Sequence, residues 1–388
     1  MKILFVTTIS NTINAFLIPH IKLLIDQGNK VELACNLVEE INSDLIQLGC
    51  RMHNVNFQRN PFKKENITAY KKIKQIVATG GYELVHVHTP VASFMTRIAC
   101  RKIADVKILY TAHGFHFSKG APLRHWIIYY PLEKIAARWT DGIIIMNDED
   151  HGLVQKLKVR KKNSIHKVHG VGIDLNRFAP QTEERKIQLR KEYDYSVEEF
   201  IIIFVAELSL RKHQDLLIKT VSIAKKKIPN IKLLLVGDGE FREYYERLIG
   251  SLGLENNVEL LGHRNDISNL LIISDLAVSS SRREGLPVNI MEAMAIGLPL
   301  IVTDCRGNRD LVRNGVNGIV IKNDDVEAFA NSINMLFDSK ELRLKFGEKS
   351  LSIIQNYSLE NVLDEMREIY HLNSIKNNQR EEPYEVGI

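Results

Sequence analysis

The feature that most limits how this chain can fold is an alternation of short apolar strands with helical stretches, run through twice. In the first run, residues 2–7, 31–35, 83–88, 107–111 and 142–146 read as strands. Helical spacing covers 15–27, about 38–48 and about 93–103 between them, with Gly28 as a C-cap for the first helix. Helices between strands make parallel βαβ units whose sheet is covered on both faces. The pattern restarts after residues 170–180 (GVGIDLNRFAP), whose two glycines and proline read as a linker. Strands then recur at 200–206, 232–236, 258–261, 275–279 and 300–303. A chain of 388 residues exceeds what one core usually supports. The expectation is therefore α/β, with two Rossmann-like, doubly wound domains facing a central cleft. Ligands of such sheets bind outside the carboxyl ends of the strands. The domains are expected over 1–175 and 176–358. A helix over about 359–372 follows, expected to pack back on the first domain, and then a polar tail from Asn373 to Ile388.

Charge divides along the same line. Residues 1–180 hold 25 Lys/Arg against 14 Asp/Glu, a net of +11, and residues 181–388 hold 27 against 33, a net of −6. A basic half points to an anionic surface or substrate. Cys35, Cys50, Cys100 and Cys305 are widely spaced without a CxxC pair, which suits a reducing compartment and argues against a disulfide scaffold or zinc ribbon. Residues 1–10 read as a strand and not a signal peptide, and no apolar run approaches the roughly 20 residues of a spanning helix. The localisation expected is cytoplasmic, at most peripheral on a membrane surface, and nucleic acid is not among the expected partners.

The stretch most informative about chemistry is 279–304, SSSRREGLPVNIMEAMAIGLPLIVTD. A strand ends in serines, a loop follows, and a helix opens near Pro287 and stops at Gly297. The free N–H groups of a helix start attract phosphate, and Gly285 and Leu286 lie where a diphosphate would approach. Glu284 in the loop can accept hydrogen bonds from sugar hydroxyls, and Glu292, two turns into the helix, from ribose hydroxyls. Basic Arg211 and Lys212 lie in FVAELSLRKHQDLLI (204–218).

The spacing of Glu284 and Glu292, with the EGL opening and EAMA continuation, resembles the E-x7-E signature of family-4 glycosyltransferases, which have the GT-B fold. The resemblance implies retaining transfer from a nucleotide-sugar, with no bound metal or other cofactor. Lys212 falls on the family's diphosphate lysine, but the matching arginine position holds Glu207. Two readings stand: Arg211 supplies the missing cation, or Glu207 orients a neighbouring base. Gly262, His263 and Arg264, after the 258–261 strand, match the loop that meets the nucleobase through its backbone. In YTAHGFHF (110–117), His113 matches the cleft histidine beside the donor sugar, and His116 and Asn14 fall on the acceptor side. The loop 7–14 (TTISNTIN) lacks the glycine pair that many members carry there. His86 and His88 share a strand face with no third ligand of convincing spacing, so a metal site is not expected. Asp148-Glu149-Asp150 spells DxD but follows Asn147, and reads as an acidic first helical turn.

The stretches AFLIPHI, VHVHTPVASF, YTAHGFHFSKGAP, IIYYPLEK and GVGIDLNRF resemble a narrower group, the bacterial exopolysaccharide and capsule glycosyltransferases. That resemblance implies a hexose or N-acetylhexosamine moving from a UDP-sugar to a polyprenyl-diphosphate-linked saccharide at the cytoplasmic membrane surface. Arg59, Lys63, Lys64, Lys71, Lys72, Lys74, Lys119 and Arg124 with Trp126, Tyr129 and Tyr130 mix bases with aromatics, as a membrane-facing patch would. Two rival readings share the cleft. A nucleotide-sugar 2-epimerase would convert UDP-sugar without a lipid acceptor. A non-catalytic nucleotide-sugar-binding partner would bind UDP without transfer.

Overall fold

A computed structural model describes residues 1–160 and 164–374; the tail beyond Ser374 lies outside the described residues. Two all-parallel sheets organise the chain. The first contains β1 (Lys2–Ile9), β2 (Lys30–Asn36), β3 (Arg51–Asn54), β4 (Leu84–His88), β5 (Lys107–Ala112), β6 (Gly142–Ile145) and β7 (Ile165–Lys167), in the order β3-β2-β1-β4-β5-β6-β7. The second contains β8 (Phe200–Val205), β9 (Ile231–Val236), β10 (Val258–Gly262), β11 (Leu276–Ser279), β12 (Leu300–Thr303) and β13 (Gly318–Ile321), in the order β10-β9-β8-β11-β12-β13. Strand order reverses between β1 and β4 and again between β8 and β11, so each sheet has a crevice at that switch point. This is the two-sheet architecture of the GT-B fold.

Both faces of each sheet are buried, and the strands show it by period two. Leu4 and Val6 of β1 enter one core, Ile3 and Phe5 the other. In β8, Phe200, Ile202 and Phe204 face one side, Ile201 and Ile203 the other. The short edge strands β3, β7 and β13 carry half-exposed residues and no long apolar run, so the sequence pattern does not announce them.

Three expectations need correction. The helix read over about 38–48 is only Ser43–Gln47, begun by Asn42, whose side chain accepts from Asp44 N at 2.9 Å. The preceding segment is instead a loop, held by Ser10 Oγ accepting from the N–H groups of Val38 and Glu39. The stretch 7–14, read as a loop, is the end of β1 followed by helix from Ser10. That helix passes through a π segment, Ile13–Leu17, before the α turns of Ile18–Asp26, because Pro19 has no N–H to give the regular ladder. Finally, Trp126, Tyr129 and Tyr130 of the helix Leu123–Ala136 pack on the first core, and the same helix exposes Leu123 and Ile127 instead. Among the described residues, no helix is long and apolar enough to cross a membrane.

The last helix, Leu359–Ser374, returns to the first sheet. Val362, Met366, Ile369 and Tyr370 recur at helical spacing and join Leu17, Ile21 and Leu24 in one core. Within the described residues the chain thus crosses between the lobes twice, at Ile173 and at Ser358, and the two crossings pair as a parallel bridge. Ile173 N donates to Tyr357 O at 2.9 Å, and Leu359 N donates to Ile173 O at 2.8 Å. Gly172 has φ +84°, and a Cβ there would lie 2.8 Å from Leu359 Cα, so only glycine permits the crossing to close.

Candidate functional site

The second lobe presents two loops at its switch point, one after β8 and one after β11. They are stitched together by Arg282 N donating to Arg211 O at 2.9 Å and Ser280 Oγ donating to Lys212 O at 2.8 Å. This brings Lys212 Nζ to 2.6 Å from Glu284 Oε1 and Arg211 Nη1 to 3.6 Å from Glu284 Oε2. Burial alone would raise the Glu284 carboxyl pKa, but Lys212 and Arg211 outweigh it and hold the group below the usual range. Glu284 is therefore an ionised acceptor. Glu207 lies 3.8 Å from the Arg211 guanidinium, so that cation stands between two carboxylates.

Glu292 sits on the helix Val288–Ile296, which follows the same loop and ends at Gly297 in the left-handed region. It has no hydrogen-bond or ion-pair partner among the described residues, and burial pushes its pKa up to about 7 against the pull of Arg177. Gly262 closes β10, and its carbonyl accepts from Gly237 N at 2.8 Å. Beside it His263 is exposed. Arg264 is engaged with Asp266 through Nε at 2.9 Å and Nη2 at 2.6 Å. Leu286 is half-buried at the lobe junction, where a Cβ on Gly170 would come within 2.8 Å of it.

The first lobe contributes side chains of another kind. On adjacent β4 and β5, His86 Nε2 lies 2.7 Å from Thr111 Oγ1 and His86 Nδ1 lies 2.9 Å from Tyr370 Oη of the returning helix. His88 Nδ1 lies 3.1 Å from Nε2 of His113. Burial lowers the pKa of all three imidazoles, that of His113 to about 4, so they are neutral near pH 7. Among the described residues, no group of three or more His, Cys, Asp or Glu is arranged to hold a metal ion. His116 is exposed and packs on Tyr129, ring centroids 4.6 Å apart, at a cavity of about 270 Å³ that also touches Thr8, Thr12, Arg59 and Thr89. Asn14 does not join this group. Its amide donates to Glu39 Oε1 and Glu40 O and accepts from Asn42 N, which fastens the 39–42 loop.

The two lobes meet at Gly285. A Cβ there would stand 1.8 Å from the carbonyl oxygen of His113, and one on Gly114 would stand 2.9 Å from Gly285 Cα. On the side a Cβ would occupy, the close approach that Gly285 permits is thus taken by first-lobe backbone, and the contact lays the 284–285 turn against the segment that carries His113. Arg306 locks it: Nε donates to Glu284 O at 2.8 Å, and Nη1 donates to Phe115 O at 3.0 Å and to Asp150 Oδ1 at 2.7 Å. Asp150 is fully buried and also accepts from Phe115 N and Asn147 Nδ2. Asn147 caps the acidic turn by accepting from Asp150 N at 2.8 Å, yet the same acids reach across the lobes. Glu149 pairs with Arg309 at 3.0 Å, and Asp148 N donates to Asp310 Oδ1 at 2.8 Å. Arg306 carries no motif of its own, and its only sequence signal is adjacency to the 279–304 stretch. Asp150 and His88 stand out in the sequence as part of an acidic turn and of a histidine pair, and nothing there signals their contacts with Arg306 and His113.

Known proteins match both halves of the chain. Residues 2–147 match the family model described as glycosyl transferase 4-like, and residues 185–352 match that of the glycosyl transferases group 1. The chain is 36% identical over 371 residues to a Bacillus subtilis protein named as the glycosyltransferase EpsD, covering 95% of this chain and 96% of that one. It is 29% identical over 310 residues to an Escherichia coli UDP-Gal:alpha-D-GlcNAc-diphosphoundecaprenol alpha-1,3-galactosyltransferase, covering 79% of each. In structure it is similar to Anabaena Alr3699/HepE crystallised with UDP, with a TM-score of 0.78 at 22% identity, covering 96% of this chain and 100% of that one.

Proposed function

The chain belongs to the group 1 glycosyl transferases, and from that premise we propose that it moves a hexose or N-acetylhexosamine from a UDP-sugar to a polyprenyl-diphosphate-linked saccharide, with retention at the anomeric carbon. The observation that carries the reading is the Glu284–Lys212 pair, 2.6 Å apart at the second lobe's switch point, on the turn whose Gly285 abuts the His113 carbonyl. The donor diphosphate takes its hydrogen bonds from Lys212, Arg211 and the N–H groups around Gly285 and Leu286. These groups are already positioned where charge develops as the bond to the leaving group breaks. Glu284 accepts from sugar hydroxyls, Glu292 accepts from ribose hydroxyls, and neutral His113 offers a ring nitrogen to the sugar. The loop at Gly262, His263 and Arg264 lies on the nucleoside side.

No side chain is assigned as a nucleophile. The acceptor hydroxyl attacks the anomeric carbon on the face the diphosphate leaves, and the departing phosphate oxygen takes its proton. Side chains and helix start meet the phosphate charge, so transfer proceeds without an added cation. The UDP complexes of the structural relative and the lipid-linked acceptor in the name of the E. coli relative support donor and acceptor class. Exposed Lys63, Lys64, Lys71, Lys72 and Lys74 favour a peripheral position on an anionic membrane, at about 1 kcal/mol per base near the surface.

The test begins with thermal shift against UDP-, GDP- and dTDP-sugars. A ligand at a hundred times its dissociation constant adds about 2.7 kcal/mol. Transfer of the best donor onto a prenyl-diphosphate-linked saccharide follows, with the product anomer read by NMR. An inverted product would overturn the retaining mechanism, and epimerised donor without acceptor would replace the whole reading.

A further inference from the structure

Nearly every cation that lines the junction of the lobes is matched by a carboxylate. Lys212 and Arg211 pair with Glu284, Arg282 with Asp324, Arg306 with Asp150, and Arg309 with Glu149. Arg283 is not so matched: it is half-buried and has no carboxylate partner among the described residues. Its side chain turns to the first lobe, where Nη1 lies 3.2 Å from His125 Nδ1. That same nitrogen lies 3.2 Å from the carbonyl oxygen of His116. One ring nitrogen cannot both accept from Arg283 and donate to His116, so this contact does not satisfy the guanidinium. Burial and the nearby charges of Arg211, Arg306 and Arg124 all disfavour the Arg283 cation. A half-buried guanidinium surrounded by like charge is a standing demand for an anion.

The surroundings describe the anion's carrier. His125 adjoins His116, ring centroids 6.3 Å apart, and His116 lines the 270 Å³ first-lobe cavity together with Arg59. Arg59 and Arg124 are exposed and have no carboxylate partner among the described residues. Beside Arg124 on the same helix, Leu123 and Ile127 are 74% and 65% exposed, one turn apart, and Phe62 is 75% exposed three residues beyond Arg59. Arg283 itself lines a neighbouring cavity with Ser118, Lys119, Pro122 and Arg282, so the His125–His116 pair links the two cavities. Bases and bare apolar side chains close together in the chain on this face suit an amphiphile that carries both phosphate and hydrocarbon.

We infer that Arg283, Arg124 and Arg59, around His116 and His125, form a second anion subsite that takes the diphosphate of the prenyl-linked acceptor. The subsite is separate from the Arg211–Lys212 site for the donor diphosphate. The inference rests on the lipid-linked acceptor proposed above, and it adds that the second lobe itself, through Arg283, recognises the acceptor once the lobes have closed.

Farnesyl diphosphate, titrated calorimetrically into protein saturated with UDP, tests it. Wild type is expected to bind one equivalent. Arg283→Gln and Arg124→Gln are each expected to weaken that binding about tenfold, and the double variant about a hundredfold. The thermal shift by UDP is expected to be unchanged in all three, and Arg124, being exposed, can be altered without risk to the fold. Inorganic pyrophosphate is expected to bind wild type at least tenfold more weakly than the prenyl compound. Full-strength farnesyl diphosphate binding by the double variant, or no binding by wild type that still responds to UDP, overturns the subsite and leaves the donor reading standing. Equal binding of inorganic pyrophosphate overturns the assignment to a lipid-borne ligand. If phosphatidylglycerol vesicles capture wild type but not the double variant while farnesyl diphosphate binding persists, the subsite belongs to a bilayer headgroup.

Discussion

The two walls of the cleft solve the same problem with opposite chemistry. The second lobe presents ionised side chains, Glu284 held charged by Lys212 and Arg211. The first lobe offers His113, backed by His88, kept neutral by burial. On the proposed function the division follows from what each wall would face. A diphosphate leaving group needs fixed positive charge, whereas sugar hydroxyls need hydrogen bonds whose direction matters more than their charge. On that proposal one wall serves as an electrostatic cradle and the other as a polar template.

Substitution can break the comparison at its strongest point. Lys212→Ala is expected to cut kcat about a thousandfold, equivalent to about 4 kcal/mol of lost transition-state stabilisation. Circular dichroism should show the fold intact, because Arg211 remains near Glu284. His113→Ala, on the neutral wall, is expected to cost about thirtyfold in kcat/KM, near 2 kcal/mol, in keeping with loss of a hydrogen bond and no charge. Equal losses at the two positions would erase the distinction drawn here.

Acidity sharpens the contrast. Glu292 titrates near 7, so UDP binding through its carboxylate should weaken as pH falls from 8 to 6, by up to about tenfold. In Glu292→Gln that dependence should shrink to what UDP's own phosphate contributes. The sign for stability runs the other way. The folded pKa of Glu292 lies above its unfolded value of 4.5, so its contribution is fully present below 4.5 and is lost as pH rises through 7. Unliganded Glu292→Gln should accordingly gain about 2 kcal/mol over wild type at pH 8, after discounting for solvent screening, and almost nothing at pH 4, by urea denaturation. His113, with its pKa near 4, should leave the transfer rate flat between pH 6 and 8. The smallest effect is expected at Glu207. Its side chain is 62% exposed and its contact with Arg211 is long, so Glu207→Gln should change kcat/KM by no more than about twofold.

The parts that were legible in the sequence are those whose chemistry is local. Glu284, Gly285 and Glu292 lie within one loop and one helix, and the βαβ rhythm belongs to buried strands that are apolar up to a single terminal Ser or Thr. Legibility ends where a partner is remote. Arg306 and Asp150 are 156 positions apart, and nothing near either one states that they meet. Asp148-Glu149-Asp150 was correctly legible as a capped turn, because Asn147 supplies the cap three residues away. Its second task, holding the other lobe, depends on tertiary placement alone. The truncated helix at Ser43 shows the same limit, since Ser10 and Asn14 decide where that loop runs. At Glu207 the resemblance to the family leaves two readings open, and the contact with Arg211 gives that glutamate a neighbour without giving it a phosphate role.

The double crossing at Ile173 and Ser358 has a mechanical consequence. Two strands of backbone, bonded to one another, must flex as a unit whenever the lobes part, so the lobes can nod about that seam but cannot swivel freely. Because the final helix closes the first lobe through Tyr370 and His86, cutting the gene between the lobes would leave the amino-terminal half with an open flank and an unsatisfied imidazole. The halves of this enzyme are neighbours in space but not separable modules.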